Sequence, residues 1–250
     1  MKSENYQNFT ILSFSQLAST NDTAFEMVAN FQADHNYVIT CDSQTQGKGR
    51  LGRNWQEGRD NLYFSLILQP KTDNRASSEL VFVAINALYD AVYGLFVKQN
   101  IQQNVKIAKK WPNDLLINDK KVAGILLEGG VNQSQPYIVI GIGVNIATNP
   151  QNVMFKAANL QEFGLKINKN QLLLTFLDSF GSNFQSWQDF GFKIVKNKFL
   201  ENAWHLNEQI AIDNEKAKVS GLFVDMDDDG AIIIKDQKSQ RRRLLVGDIS

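Results

Sequence analysis

Residues 46–55, QGKGRLGRNW, hold three glycines, Gly47, Gly49 and Gly52, and three cations, Lys48, Arg50 and Arg53. No acidic residue occurs from Ser43 to Gln56, so this stretch carries a local charge of plus three in a chain whose 26 basic and 26 acidic residues cancel. Glycine permits positive φ and lets main-chain N–H groups approach an anion, while each arginine offers a planar fork to phosphate or carboxylate. An ordered loop of this composition aims several donors at one ligand. A mobile solvated turn has the same composition, and the loop by itself leaves both readings open.

Neither common phosphate signature accompanies it. G-x-x-x-x-G-K-[ST] is absent, and the run Gly141-Ile142-Gly143-Val144-Asn145 fails G-x-G-x-x-G because Ile146 stands in the third glycine's place. A second polar run, Lys110-Trp111-Pro112-Asn113-Asp114 followed by Lys121-x-x-Gly124, sets cations, an amide and a carboxylate in one short hairpin. Read alone, it is better taken as a capped turn with a solvated lysine. No zinc set is present: His35 and His205 lie far apart, with no H-E-x-x-H or C-x-x-C. The single cysteine, Cys41, excludes an internal disulfide and reads as a small buried side chain in an apolar run, which favours a reducing, cytoplasmic setting.

Apolar periodicity supplies the elements that must carry these groups. Residues 11–14 are β-compatible, Ser19-Thr20-Asn21-Asp22 are helix-capping side chains, and 23–31 reads as the helix they start. Strands are expected over 37–41 and at the alternating Leu62, Phe64, Leu66 and Leu68, on either side of the basic loop. Apolar residues at helical spacing mark 79–97. Residues 105–128 read as strand, proline turn, strand, a tight turn at Asn118-Asp119 and a further strand, and 137–146 as a strand buried on both faces. Helices follow over 172–187 and 192–203. From residue 208 the segments are short and β-like, 209–212, 216–224, 231–235 and 242–246, around the acidic turn Asp227-Asp228-Asp229-Gly230. The pattern predicts an α+β fold: a mixed, mainly antiparallel sheet packed with helices over 1–206, then a small β-barrel over 207–250.

With 250 residues and 43% hydrophobic composition, the chain can bury a core without covalent staples. Its first residues lack an apolar run of signal-peptide length, and no window approaches eighteen consecutive apolar residues, so neither secretion nor membrane spanning is expected. Zero formal charge gives no global field for nucleic acid or anionic lipid. Arg241-Arg242-Arg243 is expected to alternate along a barrel strand as a solvated face.

In order and spacing, Ser19-Thr20-Asn21, the loop from Gly47 to Trp55, Lys110-Trp111-Pro112-Asn113-Asp114, Lys121-x-x-Gly124 and Gly141-x-Gly143-x-Asn145 resemble the biotin-protein ligases, or biotin-[acetyl-CoA-carboxylase] ligases. The likeness runs over about residues 10–250. It implies a class II synthetase-like biotin/lipoate ligase catalytic domain followed by an SH3-like barrel. It also implies ATP with Mg2+, biotin as substrate, a biotinyl-5'-adenylate intermediate, and transfer of biotin to a lysine of a carboxyl carrier domain of acetyl-CoA carboxylase or another biotin-dependent carboxylase. One position departs from the family pattern: Lys48 stands where arginine is usual, keeping the charge but losing the planar fork.

The resemblance also implies roles. Ser19, Thr20, Asn21 and Gln44 would hydrogen-bond the biotin head group, and Lys48, Gly49, Arg50 and Gly124 would line the biotin site. Arg50, Arg53, Trp55, Asn113 and Asn145 would serve the adenylate, with Trp55 near adenine. Lys121 would contact the biotin carboxylate and the phosphate. Lys121, Arg50 and Asp114 are the catalytic candidates, with Mg2+ near Asp114. Only eighteen residues precede Ser19, too few for a helix-turn-helix module, so no sequence-specific DNA partner is expected. Monomer and homodimer both stay open. Lipoyl or octanoyl transfer on the same scaffold is the rival chemistry.

Overall fold

The chain is described from a computed structural model, over residues 1–28, 36–68, 78–132, 135–151, 153, 155–213 and 218–249. Period-two apolar patterns build an eight-stranded sheet from β1 (Lys2–Tyr6), β2 (Phe9–Leu17), β3 (Asn36–Gln44), β4 (Leu62–Leu68), β5 (Ile107–Lys110), β6 (Asp114–Ile117), β7 (Lys120–Asn132) and β8 (Gln135–Val144). Their order is β1-β2-β3-β4-β8-β7-β6-β5. Among these pairs only β2 and β3 run parallel, and the connection between them holds a helix, α1 (Thr20–Met27). Asn118 and Asp119 both have positive φ, 47° and 62°, as a two-residue turn between β6 and β7 requires.

Alternation divides the sheet into two faces. Leu62, Phe64, Leu66 and Leu68 of β4 and Ile138, Ile140, Ile142 and Val144 of β8 enter the main core. That core is covered by α2 (Leu80–Lys98), α3 (Lys169–Phe190) and α4 (Phe192–Glu201). Among the described residues α2 is the one helix long and apolar enough to cross a membrane; here it packs against β5, β6, β7, α3 and α4, and most of it is buried. The opposite face is covered at one end by α1, whose Ala24 and Val28 pack on Ile39, Ile67, Tyr137 and Val139, with Phe25 edge-on to Tyr137 at 5.5 Å.

A second, five-stranded antiparallel sheet has the order β12-β11-β10-β9-β13, from β9 (Gln209–Asp213), β10 (Lys218–Met226), β11 (Ile232–Lys235), β12 (Arg241–Leu244) and β13 (Asp248–Ile249). Its apolar residues, among them Ile212, Phe223, Ile232 and Ile249, belong to the same buried cluster as α2 and α4. Phe82 of α2 lies edge-on to Phe199 of α4 at 5.2 Å, and a Cβ on Gly230 would come within 2.5 Å of the Phe82 ring. Trp111 Nε1 donates to Gly230 O at 2.9 Å.

Several expectations shift. α1 begins at Thr20, three residues before the predicted start, because Ser19 is its N-cap; the predicted residues 29–31 lie outside the described residues, as do His35 and residues 216 and 217 of a predicted strand. β1 and β13 carried no strong apolar alternation and were not expected. The three arginines 241–243 do not alternate in burial. β12 is an edge strand and all three are exposed, paired with Asp225, Asp236, Asp227 and Asp229. Trp111→Phe keeps the buried ring but removes the indole donor to Gly230 O. It should lower the unfolding free energy by about 1–2 kcal/mol, measured as a shift of the urea midpoint at unchanged slope.

Candidate active site

The floor of the site is the part of the sheet's second face that α1 leaves open. Strand register places Ser65, Gly141 and Leu126 in one cross-strand row, and Tyr63, Gly143, Gly124 and Asp114 in the next. Glycines at 124, 141 and 143 remove the side chains that would fill this face. A Cβ on Gly141 would sit 2.3 Å from Asn21 Oδ1, and one on Gly143 2.5 Å from the Trp55 ring. The G-x-G run is therefore a bare floor on which Asn21 and Trp55 lie, not a phosphate turn.

Residues three apart on an unbroken strand face opposite sides, so Lys121 and Gly124 should not share a surface. They do share this cleft, because a bulge shifts the β6–β7 register: Leu115 pairs with Ala123, and Leu116 with Lys121. Lys121 Nζ lies 2.8 Å from Asp114 Oδ1, an ion contact without hydrogen-bond alignment, and 5.4 and 5.1 Å from the ring centroids of Trp55 and Phe155. The main chain of Lys121 bonds to Lys156 O at 2.8 Å and from Ala158 N at 3.0 Å, which ties down the strap carrying Phe155.

At one end of the cleft stands the first turn of α1. Ser19 Oγ caps the helix by accepting from Asp22 N at 3.4 Å, and the early start turns Thr20 and Asn21 into the sheet, where both are buried. Gln44 Oε1 accepts from Thr20 N at 2.7 Å and from Thr20 Oγ1 at 3.2 Å. Ser65 Oγ lies 2.7 Å from Thr20 Oγ1 and 2.5 Å from Asn21 Oδ1, and Asn21 Nδ2 donates to Glu128 Oε2 at 2.6 Å. Neither Ser65 nor Glu128 was singled out from sequence. For Ser65 the available signal was a lone serine in the otherwise apolar and aromatic strand Leu62–Leu68.

The basic loop is folded as a narrow hairpin. Gly49 N donates to Arg53 O at 2.7 Å and Trp55 N to Gly47 O at 2.9 Å, around a tip formed by Leu51 (φ 56°) and Gly52 (φ 70°). Its cations are held at both flanks. Lys48 Nζ pairs with Asp22 of α1 at 2.5 Å, a hydrogen bond that raises the lysine's pKa. Arg50 Nη1 donates to Asn113 Oδ1 at 3.1 Å and to Asp248 Oδ1 at 3.3 Å, and Arg53 pairs with the same carboxylate. Burial alone would push the Asp248 carboxyl up; the Arg53 hydrogen bond and charge, with Arg50 and Lys110, outweigh it and hold the pKa below the usual range. Asp248, on β13, was not among the expected site residues.

The sequence-predicted residues Ser19, Thr20, Asn21, Gln44, Lys48, Gly49, Arg50, Arg53, Trp55, Asn113, Asp114, Lys121 and Gly124 all line one cleft. Two of the amides face inward to the protein. Asn113 accepts from Arg50 and donates to Ile125 O at 2.5 Å, so both ends are engaged. Asn145 Nδ2 donates to Ala158 O at 3.1 Å; Asn145 lines an adjoining recess with Trp55, Lys121 and Phe155. The two lysines before Trp111 diverge, as strand neighbours must. Lys109 enters the helical core, where burial lowers its pKa to about 7 beside Asn86 Oδ1 at 3.0 Å. Lys110 lies with its Nζ 5.0 Å from the Trp204 ring. Among the described residues no group of three His, Cys, Asp or Glu forms a metal cage. The Asp114 carboxylate fits an ion that arrives on a nucleotide and takes few protein ligands.

The Biotin/lipoate A/B protein ligase family model matches residues 13–145, more than half of the chain. The chain belongs to this family. The Biotin protein ligase C terminal domain model matches residues 205–250. A biotin–[acetyl-CoA-carboxylase] ligase of Paracoccus denitrificans is 33% identical over 228 residues, 87% of this chain and 90% of that protein. The bifunctional ligase/repressor of Bacillus subtilis is 29% identical over 88% of this chain and 67% of its own length. In structure the chain is similar to the Aquifex aeolicus biotin protein ligase in complex with biotin and ATP, with a TM-score of 0.77 at 24% identity, covering 96% and 97% of the two chains. At that identity the likeness establishes the fold.

Asp248→Asn should loosen the hairpin without unfolding the chain. Partly exposed ion pairs are each worth under about 1 kcal/mol, so amide exchange at Gly49 and Trp55 should quicken by about fivefold. The pH arm has a fixed sign: a depressed folded pKa gives protection that is present above the ordinary aspartate value of about 3.9 and lost as pH falls through the folded value.

Proposed function

We propose that the chain is an ATP-dependent biotin–protein ligase that activates biotin as biotinyl-5'-adenylate and transfers it to a lysine of a biotin carboxyl carrier protein. The observation that carries the reading is the convergence, in one cleft, of a polar cradle from α1, a glycine floor and a cation cluster formed by Lys121, Arg50 and Arg53. Family membership and the identity to the Paracoccus ligase support it.

On this reading the first step joins two anions. The carboxylate oxygen of biotin attacks the α-phosphorus of ATP, the bond to the β-phosphate bridge breaks, and pyrophosphate leaves. Lys121, held in place by Asp114 and the Trp55 and Phe155 rings, offsets the repulsion and stabilises charge on the phosphoryl oxygens. Arg50 and Arg53 do the same from the hairpin, with Arg50 positioned by Asn113. Asp114 would hold a Mg2+ ion arriving with the nucleotide, and that ion would supply further charge neutralisation.

The adenylate is a mixed anhydride sensitive to water, which the hairpin and Trp55 exclude. In the second step the carrier lysine attacks the acyl carbon and AMP departs. An amine with a free pKa near 10.4 must first lose its proton, and Asp114, 2.8 Å from Lys121 in the cleft, is the candidate carboxylate. We assign residues 1–206 to the catalytic unit and 207–250 to the barrel. The same reading predicts a cytoplasmic enzyme, monomeric or homodimeric, that binds neither operator DNA nor membrane.

The test is incubation of the full chain with ATP, a carrier domain and radiolabelled biotin or lipoate. Biotin alone should be incorporated, and Lys121→Met should reduce incorporation by ~100-fold or more. Exclusive labelling with lipoate would overturn the assignment.

A further inference from the structure

A buried polar group of the cleft lies outside the cation cluster. Asn21 is 3% exposed, and its amide spans two partners: Nδ2 to Glu128 Oε2 at 2.6 Å, and Oδ1 to Ser65 Oγ at 2.5 Å. An asparagine amide is nearly symmetric in shape, so only its partners decide which end is oxygen. Ser65 cannot decide, because a hydroxyl both donates and accepts. Glu128 can, because an ionised carboxylate only accepts, and the bond it receives is charge-assisted.

Fixing the amide has a consequence at the floor. Asn21 Oδ1 lies above Gly141, where a Cβ would be 2.3 Å away, so the oxygen rests on bare sheet beside the cleft that Asn21 and Gly141 line. Ser65 uses one of its lone pairs, and the other remains for a ligand N–H. Gln44 Oε1 beside it already accepts from Thr20 N and Thr20 Oγ1, so the Asn21 oxygen is the acceptor with a free lone pair of the two. A cyclic urea carries an N–H donor for such an acceptor. A dithiolane ring carries none and would leave a buried acceptor unpaired, which is a strong basis for rejection.

We propose that Glu128 is a positioning residue that locks the Asn21 amide with its oxygen toward the ligand, and thereby makes the site select a cyclic urea over a dithiolane. The inference rests on the ligase reading above and names the determinant of its substrate class. Glu128 also faces Lys48, whose pKa its charge helps to raise, but Lys48 is hydrogen-bonded to Asp22 and leaves the Asn21 contact intact.

Steady-state pyrophosphate release by the full chain tests this, with biotin, desthiobiotin, which keeps the urea, and lipoate as substrates. Glu128→Leu should raise KM for biotin and desthiobiotin alike by ~10–100-fold, since an oriented hydrogen bond is lost, while KM for ATP stays within about twofold. Glu128→Gln should recover most of that loss, because its Oε1 can accept from Asn21 Nδ2. Ser65→Ala, which removes the partner on the other side, should raise the same KM by a smaller factor. Equal rises in KM for biotin and ATP, or no recovery in Glu128→Gln at an unchanged thermal midpoint, would overturn the role of Glu128. Wild-type protein that uses biotin while Glu128→Leu is unimpaired removes Glu128 alone; wild-type protein that uses lipoate and not biotin removes the ligase reading with it.

Discussion

Three missing side chains determine where everything else can sit. Sheet faces in an α+β fold are normally filled, and the face under α1 follows that rule as far as Tyr137 and Val139. Beyond them the strands present Gly141, Gly143 and Gly124, and the sheet backbone becomes a surface. Asn21 then lies flat, close enough for its amide to reach both Ser65 on β4 and Glu128 on β7. The Trp55 ring occupies the next row, where it closes one side of the cleft and shields Lys121. A methyl group at 141 or 143 would collide with one or the other, so the polar cradle and the aromatic wall share one steric requirement.

Charge is arranged on top of that floor with little left unbalanced. The hairpin carries three cations, and they meet two carboxylates from different parts of the fold: Lys48 meets Asp22 on α1, while Arg50 and Arg53 share Asp248 on β13. Lys48 sits at the rim, where one short ion pair to the α1 carboxylate needs a point charge rather than a planar fork. Arg50 is where a guanidinium has more than one contact to make, with Asn113 and Asp248.

How far the sequence could lead depended on whether an arrangement follows strand or helix periodicity. The helices 79–97 and 172–187, the hairpin turn at Asn118-Asp119 and the cation-bearing loop obey local rules, and each is found close to where those rules put it. The shared face of Lys121 and Gly124 breaks the period-two rule, because it depends on a bulge that pattern alone does not reveal. α1 starts earlier than its pattern predicts, since four capping residues in succession offer several N-caps and tertiary hydrogen bonds to Gln44 and Ser65 choose Ser19. Ser65, Glu128 and Asp248 were out of reach for a related reason. Each acts through a partner 44, 107 or 195 residues away, a separation that no local pattern encodes.

Asp248 shows why the second sheet has to be considered together with the first. Its strand is two residues long, yet Ile249 beside it is buried in the same apolar cluster as Phe82 of α2 and Phe199 of α4. The carboxylate that holds the hairpin is thus anchored by the core of the whole molecule rather than by a peripheral module. Deleting the chain beyond residue 206 would remove Asp248, but it would also strip Gly230 from Trp111 and expose the aromatic cluster around Phe82. Loss of activity in such a truncation would report on the core as much as on the site. The electrostatic contribution of the barrel is separable only by point changes that leave its packed face intact, and Asp248, whose side chain is 38% exposed while its neighbour Ile249 is buried, is suited to that.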